Sequence, residues 1–180
     1  RGGGVSLIRV TDNGTGIPSG GAELAFARYA TSKICNLEDL ESNSSLGFRG
    51  EALPSIAAVA DVDIITCAVG KTIGTYLNLK DGVVANRASQ GRSRHQVPSA
   101  GLSAHATAAR LKFLKSLATE NSHIANVVSQ YALAFPEVRF TLFIDGRVAL
   151  RTQGSGQLID SVIAVYGSEI AQSMLEITSR

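Results

Sequence analysis

Hydrophobic and polar positions change period several times along this chain, and each change predicts an element. Val5 to Thr11 is rich in β-branched residues and predicts a buried strand. It runs into Asp12-Asn13-Gly14-Thr15-Gly16-Ile17-Pro18, where Asn-Gly is a strong turn signal. Gly21 to Ala30 carries Glu23 early and Arg28 late, the order a helix dipole favours, and predicts a helix. A polar run from Glu38 to Ser45 has the length and character of a lid, and a helix-forming run follows Gly50 and ends near Val59. Val62 to Val69 predicts a strand. Ile73, Thr75, Leu77 and Leu79 then alternate with Gly74, Tyr76, Asn78 and Lys80, and Asp81-Gly82 turns the chain into Val83 to Asn86, so the sheet is at least partly antiparallel. Ser89 to Ala109 has no period and receives no assignment. Arg110 to Ser116, then Ile124, Val127, Val128 and Tyr131 at helical spacing, predict an amphipathic helix. Val138 to Ile144 and Arg147 to Arg151 flank Asp145-Gly146 as a second hairpin. Gly154-Ser155-Gly156 reads as a flexible joint, and Leu158, Val162 and Tyr166 stripe a last helix that Gly167 is placed to cap.

Composition narrows the classes. The chain has 180 residues, 44% hydrophobic and 18% charged, which is globular composition sufficient for one domain and part of another. A net charge of +2 is too small to argue for nucleic acid by electrostatics. Arg110, Lys112 and Lys115 form a small basic cluster that reads first as the wet face of a helix. Cys35 and Cys67 form no Cys-x-x-Cys pair and have no His at ligand spacing, while His95 and His105 read as loop residues; neither a metal centre nor a disulfide framework is suggested. No apolar run is long enough to span a bilayer and no signal peptide opens the chain, so the default address is cytoplasmic, without a membrane partner. The chain begins at Arg1-Gly2-Gly3-Gly4 and ends in an apolar-rich run, and reads as a fragment.

Two stretches carry candidate chemistry. In the first, Asp12 ends a strand and two glycines follow. A buried carboxylate there accepts a hydrogen bond from the exocyclic amine of adenine, and Gly14 and Gly16 let a flat ring lie against backbone. Guanine presents an oxygen at that position and is repelled. The other reading of Asp12 is an aspartate that satisfies its own turn. In the second, Gly47 and Gly50 bracket Phe48-Arg49 and suit a turn whose amides point one way and cup an anion; a helix starting near Gly50 adds its positive end, and Pro54 fits the first turn. The alternative is a glycine turn that merely starts a helix and packs Phe48 into the core. Thr31, Ser32 and Lys33 offer hydroxyls and an ammonium to share a triphosphate's charge, or Lys33 is a solvated surface lysine. Arg49 faces phosphate or a neighbouring carboxylate, and Glu51 suits the helix start, where negative charge complements the dipole.

Three motifs in this order and spacing, Asp12-Asn13-Gly14-Thr15-Gly16-Ile17, Ala30-Thr31-Ser32-Lys33-Ile34 and Leu46-Gly47-Phe48-Arg49-Gly50-Glu51-Ala52-Leu53, resemble the N-terminal ATPase region of the MutL family of DNA mismatch repair proteins. That family shares a superfamily with gyrase, Hsp90-type chaperones and histidine kinases. The Thr-Ser-Lys and Phe-Arg-Gly-Glu-Ala-Leu versions favour MutL over those siblings. Ala109 to Ser116 and the hairpin around Asp145-Gly146 also resemble it.

The resemblance implies an α+β two-layer sandwich of the Bergerat type: a mixed, largely antiparallel sheet with helices on one face, followed by the start of a second, transducer-like α/β domain. It implies an ATP-binding domain over 1–153, a linker at 154–157 and the second domain over 158–180. It implies an adenine contact at Asp12, a pocket wall at Gly14 and Gly16 with Ile17 beside it, phosphate-side residues Thr31, Ser32 and Lys33, and a lid made of Gly47, Phe48, Arg49, Gly50, Glu51, Ala52 and Leu53. The implied cofactors are ATP and Mg²⁺. The implied partners are a second copy of the chain in an ATP-driven dimer, a MutS-like mismatch-recognition protein, DNA, and a downstream nuclease or helicase.

The chain departs from the family pattern in two ways. The family's helix with a catalytic Glu and a Mg²⁺-holding Asn would stand before Arg1, and its phosphate-sensing Lys beyond Arg180, so these residues alone are expected not to hydrolyse ATP. Where the family carries a Gly-Thr strand and a Leu-Phe-x-Asn-x-Pro loop that complete the adenine pocket, this chain has Gly101-Leu102-Ser103-Ala104-His105-Ala106-Thr107-Ala108-Ala109, a divergent loop or a local error of sequence. A non-catalytic scaffold that kept the fold and lost the nucleotide is therefore the alternative, and a gyrase-like sibling ATPase the third reading.

Overall fold

The computed structural model describes residues 1–29, 50–91, 100–106 and 115–175. The chain divides into two compact units, Val5–Phe113 and a second made of Arg1–Gly4 with Leu114–Arg180.

The unit Val5–Phe113 is built on a five-stranded sheet of β1 (Ile8–Asp12), β2 (Ala60–Thr66), β3 (Ile73–Lys80), β4 (Val83–Gly91) and β5 (Ala100–Ala106), in the spatial order β1-β5-β2-β3-β4. Every pairing among the described strands is antiparallel. The α+β fold with helices on one face is thus as expected. Alternation sets the two faces. Val62 and Ile64 of β2, Leu77 and Leu79 of β3 and Ala104 of β5 are buried, and on this face they meet Ala22 and Phe26 from two 3-10 turns (Ser19–Gly21 and Leu24–Phe26) and Ala57 from the helix α1 (Ala52–Ala57). On the opposite face Asp63 accepts hydrogen bonds from Tyr76 Oη at 2.6 Å and Asn78 Nδ2 at 2.9 Å, tying β2 to β3 through side chains. The Tyr76 phenol is held above its ordinary value of 10.0, first by this bond to Asp63, then by burial and by the carboxylate's charge.

Four expectations change here. The strand predicted as buried over Val5 to Thr11 forms as Ile8–Asp12 and is exposed there throughout, with Val5 and Leu7 before it half-buried, because β1 lies at the edge of the described sheet and the turns and α1 cover β2 and β3 instead. Within the stretch predicted as a helix from Gly21 to Ala30, the described residues form 3-10 turns, since Ala27 leaves helical geometry at φ −78, ψ 141. The helix after Gly50 has only six residues. The unassigned interval contains the end of β4 and all of β5, and β5 is an interior strand between β1 and β2. Its small side chains alternate weakly in hydropathy, which hides the strand period.

In the second unit, Ser116 caps helix α2 (Leu117–Ala134), its Oγ accepting from the Thr119 N–H at 3.2 Å, while Glu120 Oε1 accepts from the Lys115 N–H. The hairpin β6 (Thr141–Ile144) and β7 (Arg147–Arg151) turns at Asp145 and Gly146, both at positive φ, as its sequence predicts. The Gly2 N–H donates to Asp145 Oδ1 at 2.8 Å. Helix α3 (Leu158–Tyr166) ends at Gly167, φ 90, and α4 (Ser168–Gln172) follows. The glycine joint at 154–157 falls inside this unit. It is fixed by the Gly156 N–H on the Pro136 carbonyl and by Gly154, whose backbone lies so close to Arg139 that a Cβ would stand 2.7 Å from that residue's nitrogen.

Candidate functional site

The register of the sheet assembles one row of residues on the helix-bearing face. Asp12 pairs with Ala100, Ala100 with Thr66, and Thr66 with Thr75, so residues from β1, β5, β2 and β3 lie side by side. Strands are about 4.8 Å apart, which puts the Asp12 and Thr66 backbones about 10 Å from one another, the width of a ring system lying across β5. Thr66 is 1% exposed and Thr75 5%, so the row grades from buried hydroxyls at its centre to a carboxylate at its open edge.

Asp12 is exposed, and its Oδ1 accepts from the Gly14 N–H at 2.9 Å. The expected burial is not met, for the same reason that β1 is exposed: its side chain stands on an edge strand. The bond to Gly14 is the local turn satisfaction weighed in the sequence. A carboxylate offers about four lone-pair directions, so this one bond orients the group without saturating it.

The loop after Asp12 is clasped to the end of β2. The Ile17 N–H donates to Thr66 Oγ1 at 2.7 Å, and the Val69 N–H donates to the Thr15 carbonyl at 3.0 Å. Between them Gly16 sits at φ +67 with its Cα face on the Cys67 carbonyl; a Cβ there would stand 2.1 Å from that oxygen. Gly16 therefore serves backbone-to-backbone docking. Farther along, Arg87 of β4 donates to Glu23 Oε1 at 2.7 Å and to the Ser19 carbonyl, holding the 3-10 turns that follow the loop.

Of the second motif and the lid, Thr31, Ser32, Lys33, Gly47, Phe48 and Arg49 lie outside the described residues. The end of the stretch expected to form a lid, Gly50 to Leu53, is described. Gly50 has φ 62, Glu51 occupies the N-cap position of α1, Ala52 is exposed, and Leu53 packs against the same hydrophobic cluster as Ile17. The Asp12 loop and the residues Gly50 to Leu53 are thus brought to one face of the sheet. Sequence reasoning missed Thr66, although its signal was present: it continues the buried phase Val62, Ile64, Thr66, a polar residue where the pattern calls for an apolar one. Among the described residues no three His, Cys, Asp or Glu side chains converge as a metal site. Among them, too, no helix is long and apolar enough to cross a membrane.

No family model matches the chain. Over 175 residues, 97% of its length, it is 47% identical to the DNA mismatch repair protein MutL of Halothermothrix orenii, and over 178 residues it is 44% identical to MutL of Macrococcus caseolyticus. This chain belongs to the MutL family. It spans 27% and 28% of those two MutL proteins. Its structure is similar to the Aquifex aeolicus MutL ATPase domain complexed with ADP, at a TM-score of 0.65 and 28% identity, covering 89% of this chain and 57% of that one. The fold of the sheet and its covering turns is that of a MutL ATPase domain.

Proposed function

We propose that the row ended by Asp12 is one wall of an adenine-nucleotide site, and that the chain is the nucleotide-binding part of an ATP-hydrolysing mismatch repair protein. The observation that carries this reading is the Asp12–Ile17 loop, oriented at one end by the β1–β5 register and clasped at the other by Thr66. The ADP complex of a similar MutL domain supports it. Asp12 accepts the purine's exocyclic amine; Gly14, Gly16 and Ile17 line the ring; Thr31, Ser32 and Lys33 with the turn from Gly47 to Leu53 cover the triphosphate. In the intact protein ATP closes this cover and drives pairing of two copies. That event couples a MutS-like mismatch sensor to a nuclease or helicase acting on DNA, and hydrolysis resets it; the place of action is the cytoplasm, at the nucleoid. The 180 residues by themselves bind nucleotide without turning it over, their general base and Mg²⁺ ligand being expected outside them. Leu158 opens the transducer-like domain.

The test is ATP and ADP affinity of the intact parent protein, measured by calorimetry, for the parent and Asp12→Ala. Loss of a charged hydrogen bond weakens binding by about tenfold to a hundredfold. Unchanged affinity refutes the assignment. A scaffold that has lost its nucleotide is the second reading, favoured by the exposure of Asp12 and by Gly101-Leu102 standing where the family has Gly-Thr. It predicts no measurable binding by the parent itself.

A further inference from the structure

The clasp at the end of β2 has a consequence for a residue that the motifs do not name. We infer that Thr66 is a positioning residue of the nucleotide site: its hydroxyl fixes the loop that aims Asp12, an inference that rests on the nucleotide reading given above.

Four observations converge on this role. Thr66 is 1% exposed and its Oγ1 receives the Ile17 N–H at 2.7 Å, a short bond shielded from water. Ile17 is itself anchored, its side chain packed on the hydrophobic cluster of the sheet. The neighbouring contacts seat the same loop on the strand end: the Thr15 carbonyl accepts from the Val69 N–H, and the Cα face of Gly16 lies directly against the Cys67 carbonyl. Finally, Thr66 and Asp12 occupy the same register row, so the anchor and the group it positions share one rigid frame, the sheet. Six residues, Asp12 to Ile17, are therefore pinned at both ends. The near end is fixed by strand pairing; at the far end the acceptor Thr66 Oγ1 takes the Ile17 N–H, beside the Val69 bond to Thr15 and the packing of the Ile17 side chain. Removing that acceptor leaves the Ile17 N–H partly buried with nothing to replace it from the isosteric side chain, and the loop moves to find water. Asp12 then points at the purine amine only part of the time.

The experiment compares three variants of the intact parent protein. Thr66→Val keeps shape and removes the acceptor, Thr66→Ser keeps the acceptor, and Leu79→Val trims the same core two rows away from Thr66's row. ADP affinity is read by calorimetry, and exchange of the Ile17 amide by hydrogen–deuterium exchange. The expected result is an affinity about tenfold weaker in Thr66→Val, with Thr66→Ser within about twofold of the parent and Leu79→Val unchanged although its melting temperature falls. Ile17 exchange accelerates in Thr66→Val alone. The inference is overturned if Thr66→Val binds as the parent does, if Thr66→Ser loses as much as Thr66→Val, or if Leu79→Val weakens binding equally, since each makes the effect one of packing. If the parent binds no nucleotide, the proposed function fails. Ile17 exchange then still reads the clasp, and equal exchange in Thr66→Val and parent overturns it separately.

Discussion

Replacing Gly16 by alanine tests the docking of the Asp12 loop on β2 in isolation from any ligand. Two penalties add. The residue holds φ +67, which costs an L side chain about 1–2 kcal/mol. The new Cβ would stand 2.1 Å from the Cys67 carbonyl oxygen, where contacts under 3.0 Å are essentially never seen, so loop and strand end must separate by about 1 Å. That separation stretches both flanking hydrogen bonds, Ile17 N–H to Thr66 Oγ1 and Val69 N–H to the Thr15 carbonyl, each worth about 1 kcal/mol net. The expected loss is about 3–4 kcal/mol, which for a unit of about 110 residues lowers the melting temperature of Val5–Phe113 by about 13–17 °C. Gly14→Ala is the control. Among the described residues its Cβ meets only the Asp12 carboxylate, at 3.1 Å, a side chain able to turn aside, so the loss stays under about 1 kcal/mol. Melting followed by circular dichroism gives the comparison, and amide exchange at Ile17 and Val69 locates it. If the two variants melt within about 2 °C of each other, the loop is not seated on β2 as described.

Two other outcomes follow from local geometry. Ser116→Ala removes the acceptor that caps α2 and lowers stability by about 1 kcal/mol, visible as a shift of the denaturant midpoint without a change in slope. Tyr76 gives a pH dependence. Its folded pKa is raised, so its contribution is complete below the unfolded value of about 10 and disappears as pH rises through the folded value. Melting temperature therefore falls more steeply above pH 10 in the parent than in Tyr76→Phe, and parallel curves exclude the Asp63 bond as the cause.

The two hairpins were legible because their information is local: Asp81-Gly82 and Asp145-Gly146 adopt positive φ at both turn residues, and the flanking alternation needs no distant partner. Gly167 as the end of α3 was legible on the same ground. The order of the sheet was not. Whether Val5 to Thr11 is buried depends on which strand lies beside it, and that strand, β5, begins at residue 100 with alanine, glycine and serine in place of β-branched residues. The failed helix after Gly21 is a tertiary effect: Ala22 and Phe26, four apart, are both buried against the sheet, and their spacing is satisfied by two 3-10 turns as well as by a helix. At the site, Asp12, Gly14 and Gly16 stood out through their order and spacing with the later motifs, since an aspartate and glycines after a strand equally make an ordinary turn, as the Asp12 bond to Gly14 does. Thr66 was overlooked because a threonine inside a strand is ordinary there.

β5 sets the order in which this unit is put together. Among the described strands β1 has no neighbour except β5, although β5 lies nearly ninety residues later along the polypeptide (Asp12 against Ala100). The meander β2, β3 and β4 closes through short connections, while Asp12 must wait for a distant segment to be inserted between it and Thr66. A nascent chain released before residue 100 would hold the Asp12 loop and the β2 residues that clasp it, yet lack the strand that pairs with β1 and aligns Asp12 with Thr66.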